Sequence, residues 1–390
     1  GERTGEPEQN RNLVWGQLYD RGLPGRLFLG LKRLLGDAGT DRLSVFQRAY
    51  RLVALITPIL LRMREGTQKA LRDNAHNAAI ERIHVGRPVN FEGRAPGRNA
   101  LAVSRLGEAS RYAGLQNLQF YPEPIAATLS FLWRVRPEKP GIALTVDFGG
   151  GTLDLSVIRY SGADFEVLAT EGTGLGGNRI DQLIFQHMLF PLLGKGEMWA
   201  RQVDGRWVET LFPFEEFEQG LLNWPITHLL NQGRTKSKVV DRIARGGSGV
   251  EKFERLKDLI SFNYSYNCFQ AIKVAKAALS EAEATIIDIP ELNLQVPFTR
   301  AQFNTILEEP LQTIRTLLDS VISAAGLGRE DIDLVIRTGG SSLIVAVREL
   351  LEDYFPGKVT EHDPFTSVAG GLAIANYHGW RFNADDTGLG

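Results

Sequence analysis

The sequence predicts a duplicated α/β fold with two lobes around a central cleft, and three observations carry that reading. First, 390 residues exceed what one core usually holds, so two lobes are expected. Second, the order strand, helix, strand, acid-Pro, helix occurs twice. The first copy runs through a strand at 82–87, a strand at 118–121, Glu123-Pro124 and an Ala-rich helix; the second runs through a strand at 332–337, Gly339-Gly340, a strand at 358–360, Asp363-Pro364 and a helix of small residues. Third, an apolar run ends at Asp147, three glycines and Thr152 follow, and a second alternating run reaches Ile158, which reads as strand, tight turn, strand. Clefts between duplicated units are where ligands sit.

In chain order, residues 1–25 read as a loose Gly-rich lead, and Arg26 to Leu35 as a helical patch closed by Gly36. Residues 41–72 read as helix, with Leu52, Leu55, Ile56, Ile59 and Leu60 at helical spacing. Asn99 to Ala113 is a helix stopped by Gly114, and Pro124 opens the next helix. Strands follow at 142–147, 153–160 and 164–171, then a helix after Gly177 whose apolar face is Ile180, Leu183, Ile184 and Met188; His187 on that side reads as a core residue. Residues 195–262 carry tryptophans and phenylalanines among polar residues and read as an inserted subdomain. A helix to Ser280, strands near 284–289 and 293–298, a helix over 300–325, and helices at 342–354 and 364–377 complete the pattern.

Composition excludes several functions. A net charge of −2 gives no electrostatic case for a nucleic-acid partner. The N-terminus has no apolar leader, and Leu52 to Leu61 is too short to span a bilayer, so a membrane partner is not expected and the cytoplasm is the expected location. One cysteine, Cys268, gives no disulfide framework and reads as a small buried core residue. The six histidines show no metal-ligand spacing.

The chemistry-bearing stretch is the triple-glycine turn. Gly149, Gly150 and Gly151 can adopt φ > 0 and let backbone N–H groups approach a ligand, and Thr152 adds a hydroxyl donor. Asp147 and Asp154 flank the turn, where a carboxylate can hold a hydrated divalent cation. Gly172 to Gly177 formally fits GxGxxG, but the three preceding strands run too close together for a βαβ unit and no acid ends a strand about 20 residues later.

At these residues the chain resembles a known family. Val146-Asp-Phe-Gly-Gly-Gly-Thr-Leu-Asp154 resembles the second phosphate loop of the actin-like (ribonuclease H-like) ATPase superfamily, in its seventy-kilodalton heat-shock chaperone (DnaK) form. Tyr121-Pro-Glu-Pro-Ile-Ala-Ala127 resembles the first connecting helix, Gly174-Leu-Gly-Gly-Asn-Arg-Ile-Asp181 the segment after the third strand, Thr338-Gly-Gly-Ser-Ser342 the adenosine motif, and Asp363-Pro-Phe-Thr-Ser-Val-Ala-Gly-Gly371 the second connecting helix. Gly86-Arg-Pro-Val-Asn-Phe-Glu-Gly93 and Pro191-Leu-Leu-Gly194 resemble the YegD-like branch. The motifs run from about residue 26 to 377 in the family's order.

The resemblance implies ATP or ADP with Mg²⁺ between two lobes. It implies that Asp147 lies at the magnesium shell, that Gly149, Gly150, Gly151 and Thr152 contact phosphates, and that Glu123 places the metal and the attacking water. Lys32 would orient that water; Gly176 and Gly177 would line the phosphate side; Lys276, Ser280, Gly339, Gly340 and Ser342 would meet ribose and base. The implied domains are a first lobe, 1–140, without the N-terminal phosphate hairpin, a second lobe, 141–377, with an insert at about 195–280, and a tail, 378–390. The family's first phosphate loop is absent from the chain, so ATP hydrolysis, slow in the intact protein, is expected to be impaired here. The two adenine-flanking arginines fall at Ala277 and Leu343, the ribose acid at Lys273 and another acid at Phe365. These departures motivate the alternative reading, a nucleotide-independent interaction scaffold on the same fold. A small-molecule kinase on this fold has no sugar- or acid-binding motif in its favour. A protein partner or co-chaperone is the other partner class the resemblance implies.

Overall fold

The computed structural model describes residues 31–379, apart from 46–47, 75–79, 81, 92–95, 162–163, 204, 225–226, 232 and 364–365. The expected lead at 1–25, the Arg26 end of the first helical patch, Phe365 and the tail past 379 therefore lie outside the described residues. The chain divides into two compact units, one formed by the described parts of 31–178 and 309–379, the other by 179–308.

The first unit is built on a five-stranded sheet. β5 (Gly141–Phe148), β6 (Leu153–Ser161) and β7 (Asp164–Thr173) form an antiparallel meander, and β12 (Leu334–Thr338) and β13 (Val359–Glu361) add parallel strands, giving the order β13-β12-β5-β6-β7. Leu144, Val146, Phe148, Leu153, Leu155 and Val157 are fully buried, as the paired apolar runs on either side of the glycines require. A separate parallel pair joins β3 (Ile83–Arg87) to β4 (Leu118–Pro122).

The echo read from the sequence is a pair of packed helices. α3 (Glu123–Val135) begins with the first acid-Pro dipeptide, α12 (Ser367–His378) comes after the second in the sequence, and their small residues let the backbones touch. A Cβ on Gly371 would lie 1.7 Å from the Ala126 carbonyl oxygen, so only glycine is accommodated there. Polar groups tie the same region: Thr128 and Thr145 hydroxyls lie 2.5 Å apart, Thr338 and Ser367 hydroxyls 2.9 Å apart.

Residues 41–72 are not one helix. β1 (Arg42–Val45) and β2 (Arg48–Arg51) form a hairpin, the Leu52 N–H donates to the Asp41 carbonyl at 2.8 Å, and α1 (Leu52–Asp73) starts only there. Leu52, Val53 and Ile56 face the core with Leu35 and α2 (Arg98–Tyr112), while Ile59, expected on that face, is 53% exposed.

The second unit opens with α4 (Gly177–Ile184), whose first two residues still belong to the first unit. A π-turn over Phe185–Leu189 follows. The wider turn rotates the register, so His187, expected in the core, is exposed. The hairpin of β8 (Met198–Val203) and β9 (Arg206–Leu211) leads to α5 (Glu215–Leu222), α6 (Gly233–Ala244) and α7 (Val250–Phe262). Their core is aromatic: Phe190, Phe212, Phe214, Phe217 and Phe253 are buried and in mutual ring contact. α8 (Ser265–Ala278) carries the buried Cys268 and leads to the β10 (Ala284–Ile289) and β11 (Leu294–Thr299) hairpin. The helix expected over 300–325 is two: α9 (Arg300–Ile306) and, in the first unit, α10 (Glu308–Ala324). The break falls just before Pro310, which lacks an N–H and is tolerated in a first turn. α11 (Val345–Tyr354) completes the first unit. Among the described residues, no helix is long and apolar enough to cross a membrane.

Candidate nucleotide site

β5 and β6 pair in a register that sets Asp147 opposite Asp154, one on each arm of the glycine hairpin. The Gly149 N–H donates to the Thr152 carbonyl at 2.9 Å and closes the turn. None of Gly149, Gly150 and Gly151 has a positive φ, contrary to the expectation from sequence. Close approach requires glycine at the neighbouring Gly176, where a Cβ would come within 2.3 Å of the Gly151 carbonyl carbon, while Gly150 is exposed with nothing within 4 Å of its Cβ position. The N–H groups of Gly177 and Asn178 donate to the Gly149 and Gly150 carbonyls at 3.0 and 2.7 Å, so the start of α4 is stitched to the turn. The turn's carbonyls are thereby engaged with protein.

The bend after β12 lies against the same turn. Thr338 is in register with Asp147, and the Ser341 hydroxyl donates to the Gly149 carbonyl at 2.8 Å. Gly339 has φ +81°, and a Cβ there would meet the Phe148 oxygen at 2.5 Å and Asp147 Oδ1 at 2.7 Å. Gly340 is exposed. The Ser342 hydroxyl donates to the Gly339 carbonyl at 2.7 Å and is buried, so it shapes the bend from behind.

Charge gathers around the hairpin. Lys32 Nζ donates to Glu123 Oε1 at 2.5 Å, and Glu123 sits in the first turn of α3, where the helix dipole favours an acid. Asp154 is 1% exposed; it accepts from the Val89 N–H at 2.8 Å and hydrogen-bonds the Thr152 side chain. Burial pushes the Asp147 carboxyl up to about 7, Glu123 and Asp154 adding repulsion and Lys32 opposing. Asp154 is likewise pushed up to about 7 by burial, against its hydrogen bonds to Thr152 and Val89.

Asp154, singled out in the sequence as flanking the turn though given no role by the resemblance, and Arg87, at the end of β3 and not expected from sequence, belong to this constellation. The symmetry of Asp-turn-Asp marks the first. Nothing local marks the second, which the chain fold brings in. Lys276 and Ser280 fall in the other unit. Lys276 Nζ pairs with the buried Asp181 at 2.5 Å, and Ser280 follows the end of α8, its N–H donating to the Ala277 carbonyl. Lys273 and Ala277 are exposed on that helix.

No group of three or more His, Cys, Asp or Glu among the described residues is arranged to hold a metal alone. Mg²⁺ does not need one: it keeps several waters and takes one or two carboxylates. The crowding of Glu123, Asp147 and Asp154, with Lys32 and Arg87 as the nearby cations, fits such a hydrated cation, with Asp147 the carboxylate against the Gly339 bend.

A mixed sheet with a glycine turn, flanking aspartates and duplicated connecting helices defines a class, and the chain belongs to it: it is a member of the Hsp70 family. The family model described as Hsp70 protein matches residues 98–195 and 266–377, more than half of the chain, and the actin-like ATPase fold goes with that membership. The chain is 28% identical over 269 residues to Chaperone protein HscA of Serratia proteamaculans (strain 568), covering 68% of this chain and 33% of that protein. It is 27% identical over 384 residues to Heat shock 70 kDa protein BIP3 of Oryza sativa subsp. japonica, covering 90% of this chain and 47% of that protein. The chain thus spans between a third and a half of these relatives' length.

Proposed function

We propose that this chain is the nucleotide-binding part of a chaperone-like protein, holding Mg-ATP or Mg-ADP on the triple-glycine turn. The observation that carries the reading is the convergence, within one unit, of the Gly149–Thr152 turn, the Gly339–Gly340 bend, the paired aspartates and the Lys32–Glu123 pair. Phosphoryl transfer asks for positioning and charge neutralisation rather than covalent chemistry. The N–H groups of Gly150, Gly151 and Thr152 would receive phosphates, the Gly149 N–H being spent on closing the turn. Asp147 would hold hydrated Mg²⁺, which when bound neutralises phosphate charge. Glu123, fixed by Lys32, would orient water. Slow hydrolysis, a division into lobes at 1–140 and 141–377, a co-chaperone partner, a cytoplasmic location and a place in the YegD-like branch belong to the same proposal.

Isothermal titration of the full-length protein with Mg-ATP and Mg-ADP tests it. Saturable binding of at least one is expected, weakened in Asp147→Asn when Mg²⁺ is present. Absence of binding in the full-length protein overturns the reading.

One observation favours a second reading. Lys276 is locked onto Asp181 and the Ser342 hydroxyl onto Gly339, so neither is free-standing toward a nucleoside. A nucleotide-independent scaffold would have just such a self-satisfied site. Unchanged melting with either nucleotide would select it.

A further inference from the structure

Two buried arginines stand near the C-terminal ends of parallel strands, at positions the duplication does not equate: counted from Glu123 and Asp363, Arg87 matches Thr338 and Arg337 matches Gly86. Arg337 lies at the end of β12, which pairs in parallel with β13, and Arg87 ends β3, which pairs in parallel with β4. Both are buried, at 5% and 7% exposure. Their partners differ. Arg337 faces Glu361 in register, pairs with it at 2.5 Å through Nη2, and donates from Nη1 to the Ser342 carbonyl at 2.7 Å. Arg87 faces Pro122. Its Nη1 donates to the carbonyls of Pro88 and Val89 at 3.0 and 3.2 Å, and its Nε and Nη2 have no hydrogen-bond partner among the described residues.

A guanidinium stays charged, and burying it against carbonyls alone is costly. Two donors of its planar fork remain for an anion. The residues on either side of it lie close to Glu123 and Asp154. A Cβ on Gly86 would lie 3.3 Å from Glu123 Cγ, and the Val89 N–H holds Asp154. Arg87 is thus buried with no hydrogen bond or ion pair to a carboxylate among the described residues, and it stands beside Glu123 and Asp154.

We propose that Arg87 contacts the terminal phosphoryl group of the nucleotide held at the Gly149–Thr152 turn, and so favours triphosphate over diphosphate. The proposal rests on the nucleotide reading above.

The test is titration of full-length wild type, Arg87→Gln and Arg87→Lys with Mg-ATP and with Mg-ADP, with melting curves to establish folding. Arg87→Gln should lose roughly tenfold or more in affinity for ATP, the scale of a lost charged hydrogen bond, while ADP stays within about twofold. Arg87→Lys keeps the charge without the fork and should recover part of the ATP affinity; should Arg87→Gln fail to fold, an ATP-selective loss in Arg87→Lys carries the proposal and an unchanged ATP affinity overturns it. Equal losses for ATP and ADP, or no loss, overturn it and leave the nucleotide reading intact. A wild type that binds neither nucleotide overturns both.

Discussion

Asp147 carries the sharpest expectation at the scale of single residues. It and Asp154 sit across one hairpin with their carboxyls pushed up to about 7. A carboxyl whose folded pKa exceeds its unfolded value binds more protons folded than unfolded, so its contribution is fully present below about 4 and is lost as pH rises toward 7. Without divalent cation, the melting temperature should therefore fall between pH 5 and pH 8. Asp147→Asn removes one of the two charges and should raise the melting temperature at pH 8 with little effect at pH 5; thermal melts across that range check it. Mg²⁺ should restore stability to wild type at pH 8 and do less for the variant. A wild type whose stability rises steadily to pH 8 in the absence of cation contradicts the assignment. Lys32 is different: its side chain is 51% exposed, so its pair with Glu123 contributes little to stability, within about 1 kcal/mol, and its removal should be felt at the site instead.

At the scale of elements, the two connecting helices were legible because their sequences share a reason. In the sequence an acid-Pro dipeptide stands at or just ahead of each, and small residues line each, since α3 and α12 approach until Gly371 meets Ala126. Gly371→Ala should cost about 1–3 kcal/mol of stability, the usual range for overpacking, because the obstacle is a backbone carbonyl and not a flexible side chain. Chemical denaturation measures it; a neutral result would mean the helices do not pack this closely. The β1–β2 hairpin was not legible. Its strands are four residues each, too short for a period-2 signal to outweigh the strong helical run that starts at Leu52. The π-turn at Phe185–Leu189 was hidden for a related reason: periodicity assumes 3.6 residues per turn, and one wide turn moved His187 to the surface. The break before Pro310 lay in plain sight, but proline in a first helical turn reads the same as proline ending a helix.

At the scale of the whole molecule, what could be read early were the local signals: the glycine turn, the strand runs and the repeated order of elements. Arg87 could not be, because its significance lies in standing beside Glu123 and Asp154, acids that only the folded chain brings to the end of β3. Cys268 is a case where composition and fold agree. It is the only cysteine in 390 residues, it sits fully buried in α8, and desolvation raises its thiol pKa further, so the reactive thiolate is suppressed twice over. Labelling by an aromatic disulfide reagent must then proceed through opening of the structure around α8. The labelling rate should be very slow in native buffer, should rise with guanidinium along the unfolding curve followed by circular dichroism, and should approach that of a free thiol only past the midpoint. Rapid stoichiometric labelling without denaturant would show that α8 opens far more readily than its burial implies, and would relocate the weakest part of the fold to the aromatic unit.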